Sequence, residues 1–277
     1  MMSTPLLGYV PRQGWMHTLT GVSKLVLVIA LVVGAMISFD ARYLLGLSVL
    51  SMVLWGVSRV RLRDLAVVLW LIAIFMVLNN LLIFLFAPEY GPQLFGSRTL
   101  LLDGPWRWDL TAEQLFYQLV VTLKYFAVLP GVLLFITTTR PPEFASSLSR
   151  IGVPYRAAYA VSLALRYIPD VQRDFRTISQ AQQARGLEVT RRVGLGTRIR
   201  NLTSTLMPLL LGAFDRIESV AAAMELRGFG RGRGRTWYDQ RPLRTRDVLV
   251  MIGSLLVLTA SIALLVLGNG RWWNPFG

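Results

Sequence analysis

The stretch LAVVLWLIAIFMVLNNLLIFLF, residues 65–86, runs for 22 positions without one charged side chain. As a helix it covers roughly 33 Å, enough to cross about 30 Å of hydrocarbon. Lipid offers no hydrogen bonds, so a lone apolar run must satisfy its backbone internally, and an α-helix does so. The two polar residues within it, Asn79 and Asn80, are expected to bond neighbouring helices rather than bind cargo. Four more segments follow the same logic: Val22–Phe39, Tyr43–Val57, Leu115–Thr137 and Val248–Leu267. The run Tyr43–Val57 is the shortest, and its closeness to the first implies a tight helical hairpin. Pro130 is expected to kink the fourth.

The whole composition agrees. Hydrophobic residues make up 54% of the 277 positions and charged residues only 16%, against roughly 25% charged in an average globular protein. The net charge of +14 must therefore lie outside the lipid. The absence of cysteine excludes disulfides and thiolate chemistry. The single histidine, His17, reads as a polar interfacial residue. No small-residue cleavage site closes the first apolar run, which reads as a retained span rather than a leader.

Lys and Arg set the orientation. Arg59, Arg61 and Arg63 follow the second span, whereas residues 87–114 hold four acids against two arginines. Residues 140–247 hold 19 arginines, no lysine and nine acids. These counts place the N-terminus, the 58–64 loop and the 140–247 insert in the cytoplasm, with the C-terminus outside and Trp272 and Trp273 as an interfacial anchor. The expected architecture is all-α. A membrane domain of four spans covers 1–139, a cytoplasmic helical domain 140–247, and a fifth span with an external tail 248–277.

An insert of that size is too long for a connecting loop, and it has helical texture. PPEFASSLSRIGVP (141–154) reads as a short amphipathic helix with Phe144, Leu148 and Ile151 on one face. Tyr155 to Ala184 reads as helix with a break near Pro169, where Arg166 braces a corner. Thr197 to Arg227 reads as a second long helix, bent at Pro208, with Leu206, Leu209, Leu210, Ala213, Phe214, Ile217 and Ala221 on one face.

Each long helix finishes alike, in AQQARG (181–186) and AMELRG (223–228). One such ending is ordinary, because Gly closes helices cheaply and Arg suits the negative end of the helix dipole. Two of them on one insert suggest two narrow tips, each presenting a planar, five-donor guanidinium to a socket lined with carboxylates. Two equivalent sockets imply a dimeric or pseudo-dimeric partner, with an ABC-type ATPase pair the obvious candidate. The chain itself lacks the G-x-x-x-x-G-K-[ST] phosphate loop, so any ATP would be hydrolysed on other chains.

These features resemble the T component of energy-coupling factor (ECF) transporters, the cobalt and biotin type. The likeness covers most of the chain and is strongest over TTTRPPEFASSLSRIGVPYRAAYAVSLALRYIPDVQRDFRTISQAQQARGLEV and PLLLGAFDRIESVAAAMELRGFG. The opening LTGVSKLVLVIAL, in which a turn and a Lys lead into the first span, is also similar. In that family two Ala-Arg-Gly motifs end coupling helices that dock on two ATPase subunits. Ala184, Arg185 and Gly186 match the first motif fully. Leu226, Arg227 and Gly228 match the second with Leu in place of Ala, which alters the fit to the socket while keeping the arginine. The resemblance implies a non-catalytic subunit without cofactors of its own. It would carry ATP-driven motion to a separate substrate-binding membrane protein, the S component, for uptake of a vitamin or a transition-metal ion. Met207, Leu210, Phe214 and Lys124 are candidate contacts for that partner. The residues alone also allow a membrane scaffold that docks another acidic cytoplasmic protein. An intramembrane transferase fits less well, for the spans carry no cluster of His, Asp or Glu. The run GRGRGR (230–235) reads as a contact for anionic membrane lipid rather than for nucleic acid.

Overall fold

The structure, a computed structural model, describes residues 14–102, 109–187, 194–231, 237, 240–267 and 273–276. By contact the chain forms two compact units, one of residues 1–140 with 241–277 and the other of 141–240. The divisions read from the sequence stood at 139/140 and 247/248, so residues 241–247 group with the membrane-spanning part.

The first unit contains α1 (Trp15–Thr18), α2 (Gly21–Ile37), α3 (Ala41–Ser58), a 3-10 turn (Leu62–Leu65), α4 (Ala66–Phe86), α5 (Tyr90–Phe95), α6 (Ala112–Thr138) and α10 (Thr245–Leu267). A two-stranded antiparallel hairpin, β1 (Leu100–Leu102) with β2 (Leu110–Thr111), lies between α5 and α6. Among the described residues four helices are long and apolar enough to cross a membrane: α3, α4, α6 and α10. The polytopic all-α class follows. The short second run thus extends to an 18-residue helix, while the first apolar helix, α2, is the shorter one at 17 residues.

α2 packs against α10 and α6, and α3 packs along α6. Leu27, Leu31, Leu44, Leu47, Val120 and Leu134 meet in the resulting core. Polar groups fasten it where it is dry. The Tyr43 hydroxyl donates to the Val257 carbonyl at 2.8 Å and the Ser261 hydroxyl to the Gly34 carbonyl at 3.1 Å, so α10 is bonded to both α3 and α2. α4 has no buried residue at all. It is held to α6 by Asn80, whose side-chain amide donates to Thr122 Oγ1 at 3.3 Å and whose carbonyl accepts from Gln118 at 3.1 Å. Asn80 therefore joins helices, as expected. Trp273 packs on Phe116 and beneath the Arg42 guanidinium; Trp272 lies outside the described residues.

The second unit contains α7 (Pro141–Arg150), α8 (Tyr155–Ala184) and α9 (Leu195–Leu226). On α7 the buried positions are Ala145, Ser146 and Ser147, while Ile151 is 40% exposed. The expected Phe144–Leu148–Ile151 face is thus not the one most deeply covered. Pro169 does not break α8, which runs unbroken for 30 residues through it. A proline inside a helix removes one hydrogen bond, and the remaining turns can carry the helix past that gap. α9 likewise passes through Pro208. Most of the GRGRGR run lies outside the described residues.

Candidate functional site: two arginine-tipped helix ends

The two helix ends have the same backbone. Arg185 closes α8 with φ −86° and ψ 8°, and Arg227 closes α9 with φ −83° and ψ 9°. Gly186 and Gly228 follow in the left-handed region, at φ +82° and +65°. The Gly186 N–H donates to the Gln183 carbonyl at 2.9 Å and the Leu187 N–H to the Gln182 carbonyl at 3.0 Å. At the other tip the Gly228 N–H donates to the Glu225 carbonyl at 2.9 Å and the Phe229 N–H to the Met224 carbonyl at 2.9 Å. Each is a full Schellman closure, in which the chain reverses over its own last carbonyls. Arginine thereby becomes the final residue before the reversal. Ala184, Arg185, Gly186, Leu226 and Arg227 are exposed and Gly228 is half-buried. Leu226 is 89% exposed, an apolar side chain standing at the tip beside its arginine.

The surroundings of the two tips differ, and the sequence did not disclose this. Phe229, just after the second tip, sits 4.8 Å from the Tyr159 ring and 6.0 Å from the Tyr155 ring, centroid to centroid. Arg156 donates to the Gly230 carbonyl at 3.3 Å. The end of α9 is thus fixed beside the first turns of α8. The end of α8 lies a helix length away, roughly 45 Å for 30 residues, so the tips are spread along the unit rather than paired. Farther along, an Arg216–Asp174 ion pair at 2.7 Å links the two helices. Beside the second tip, Arg166, Asp170 and Tyr167 of α8 share a groove of about 420 Å³ with Arg227. Arg166, expected to brace a corner, instead lies beside the second tip.

The remaining candidates fall elsewhere. Met207, Leu210 and Phe214 are 57%, 53% and 61% exposed on α9. An apolar stripe left open in this way is of the kind that meets another protein or lipid. Lys124 lies in the other unit, on α6, with its ammonium 3.1 Å from the centroid of the Phe39 ring, a cation–π contact.

Four candidate membrane spans in one unit and two matched arginine-tipped helix ends in the other make this a polytopic membrane protein with a paired helix-end motif. Residues 12–238 match the family described as cobalt transport protein, CbiQ. Three curated relatives share one description, energy-coupling factor transporter transmembrane protein EcfT. That of Exiguobacterium sibiricum is 30% identical over 64% of this chain and 72% of its own. That of Listeria innocua is 29% identical over 94% of this chain and 97% of its own. That of Limosilactobacillus fermentum is 33% identical over 57% of this chain and 65% of its own. The chain belongs to this family, the energy-coupling transmembrane subunits of ECF transporters.

Proposed function

We propose that this subunit seats its two helix tips in two ABC-type ATPase subunits and passes their ATP-driven motion to a separate substrate-binding S component. The cargo class would be a vitamin or a transition-metal ion. The observation that carries this reading is the pair of Schellman-closed ends, each projecting an exposed arginine. A guanidinium on a rigid, narrow tip suits a carboxylate-lined socket, where it forms two parallel charge-assisted bonds. The roughly 45 Å length of α8 supports two sockets on two proteins rather than two on one small surface. The exposed Met207–Leu210–Phe214 stripe of α9 is an apolar surface of the kind an S component would cover. Lys124 is the candidate contact from the membrane side.

In this reading the chain catalyses nothing and needs no cofactor, and ATP is consumed on the partner ATPases. The arginine-rich 140–247 region and the N-terminus face the cytoplasm, the former also touching anionic lipid, and the C-terminus faces outward. The test is copurification of the ATPases, together with uptake of the copurified S component's cargo, for Arg185→Ala, Arg227→Ala and the double variant. Leaving a socket carboxylate desolvated and unpaired costs roughly 3–5 kcal/mol, so each single change should weaken docking and the double change should abolish it. Full uptake by the double variant would refute the proposal.

A further inference from the structure

The chain leaves the first unit after residue 140 and returns to it at 241, and both crossings are fastened by the Thr20–Lys24 turn that opens α2. At the outgoing crossing, Lys24 is 1% exposed and its ammonium donates to the Thr138 carbonyl at 2.9 Å. That carbonyl is the last of α6, one of the terminal acceptors that a helix cannot satisfy by itself, at the negative end of its dipole. At the returning crossing, Asp247 is 1% exposed. Its Oδ1 accepts from the Thr20 N–H at 2.7 Å, the Thr20 hydroxyl at 3.0 Å and the Ser23 hydroxyl at 2.9 Å. Its Oδ2 accepts from the Arg244 N–H at 2.9 Å. Thr20 precedes α2 and Arg244 precedes α10, so one carboxylate caps the positive ends of two helices at once. Three helix ends therefore meet at Thr20–Lys24, with an anion on the two N-termini and a cation on the C-terminus.

We infer that the Thr20–Lys24 turn is a buckle for energy coupling, and that Lys24 and Asp247 are positioning residues through which displacement of the 141–240 unit is delivered to α2. The physical ground is the cost of separating such groups. A buried charge stripped of its partner is strongly disfavoured, so neither crossing slides past α2 and movement at either chain end pulls on the same turn. Burial rather than exposure identifies the pair as an internal linkage. This inference rests on the proposed docking of ATPases, and the test separates the two.

The experiment uses the full chain purified with its membrane partners and ATPases, with ATP as the probe. The chain contains no cysteine, so with the partners' own cysteines replaced, a spin label at Met36→Cys, near the far end of α2 and 59% exposed in the parent chain, reports from a single site. With the buckle intact, adding ATP changes the label's spectrum. In Lys24→Met and in Asp247→Asn the ATPases still copurify and hydrolyse ATP, but the nucleotide response of the label is lost. Lys24→Arg, which keeps a donor for the Thr138 carbonyl, restores it. A merely structural role would lower assembly and hydrolysis together and would not separate them from the label's response. Should either variant fail to assemble, Ser23→Ala removes one donor to Asp247 without stranding a charge and is expected to reduce the response. A full response in the assembled variants, or none in the intact complex, overturns the inference. Failure of any ATPase to copurify with the intact chain refutes the docking proposal instead.

Discussion

Gly186 and Gly228 decide the shape of the tips, and their cost of replacement can be separated into space and conformation. A Cβ added at Gly186 would meet nothing within 4 Å, and at Gly228 only Arg231 Cδ at 3.9 Å. Any penalty therefore comes from the left-handed backbone, about 1–2 kcal/mol for a residue with a side chain. Gly186→Ala and Gly228→Ala should each lower the thermal midpoint of the purified chain and loosen its tip. Gly212→Ala is the control. Gly212 lies within α9 in open space, and Ala there should stabilise by about 0.5–1 kcal/mol. If all three substitutions shift the midpoint alike, the closures do not depend on glycine conformation. These ends were legible in the sequence because a helix closure is local: the six residues 182–187, and likewise 224–229, contain its whole hydrogen-bond pattern. Asp247 was not legible. It appeared as one of nine acids in the basic insert, yet its partners Thr20 and Ser23 lie 227 and 224 residues away. No local pattern announces such a bond.

Among the elements, α8 and α9 show where sequence reasoning holds and where packing overrides it. The apolar and helical texture of 155–184 and 197–227 sufficed to place both helices, the second of which runs from Leu195 to Leu226. Proline at 169 argued for a break, but a single lost hydrogen bond does not end a helix held elsewhere by its neighbour. Replacing it should show this. Pro169→Ala restores the missing N–H and should raise the stability of α8 by about 1–3 kcal/mol, read as a higher thermal midpoint with unchanged helical content. A fall in midpoint would mean that the proline is needed for the path of the helix. The two tips should also respond separately. Phe229 fixes the α9 tip through Tyr155 and Tyr159, aromatic pairs worth about 0.5–1.5 kcal/mol each. Phe229→Ala should accelerate tryptic cleavage after Arg227 while leaving cleavage after Arg185 at its original rate. Equal acceleration at both sites would show that the tips are not independently held. The Arg216–Asp174 pair, with side chains 38% and 41% exposed, should matter less, since an exposed ion pair contributes at most about 1 kcal/mol.

At the scale of the molecule, the number of crossings rests on α2. Four helices qualify by length and composition, and α2, at 17 residues, rises only about 26 Å against a core of about 30 Å. Length alone would favour four crossings and leave the N-terminus on the same face as the C-terminus. Burial argues otherwise. Ten residues of α2 are buried, whereas α4 has none. A helix enclosed by α6 and α10 is shielded from lipid along much of its surface and need not match the thickness of the hydrocarbon, as a lipid-facing helix must. Its charge pattern points the same way. Lys24 at its start is buried and bonded to a helix end rather than exposed to lipid, and no charged residue occurs from Leu25 to Phe39. α2 should therefore cross, making five spans and putting the termini on opposite faces. Reporters fused before Met1 and after Gly277 test this directly. The first should read as cytoplasmic together with one placed in the 58–64 loop, and the second as external. If both termini report the same face, α2 enters the membrane without crossing it, and the buckle at Thr20–Lys24 must lie on the opposite side from the one its link to residue 140 requires.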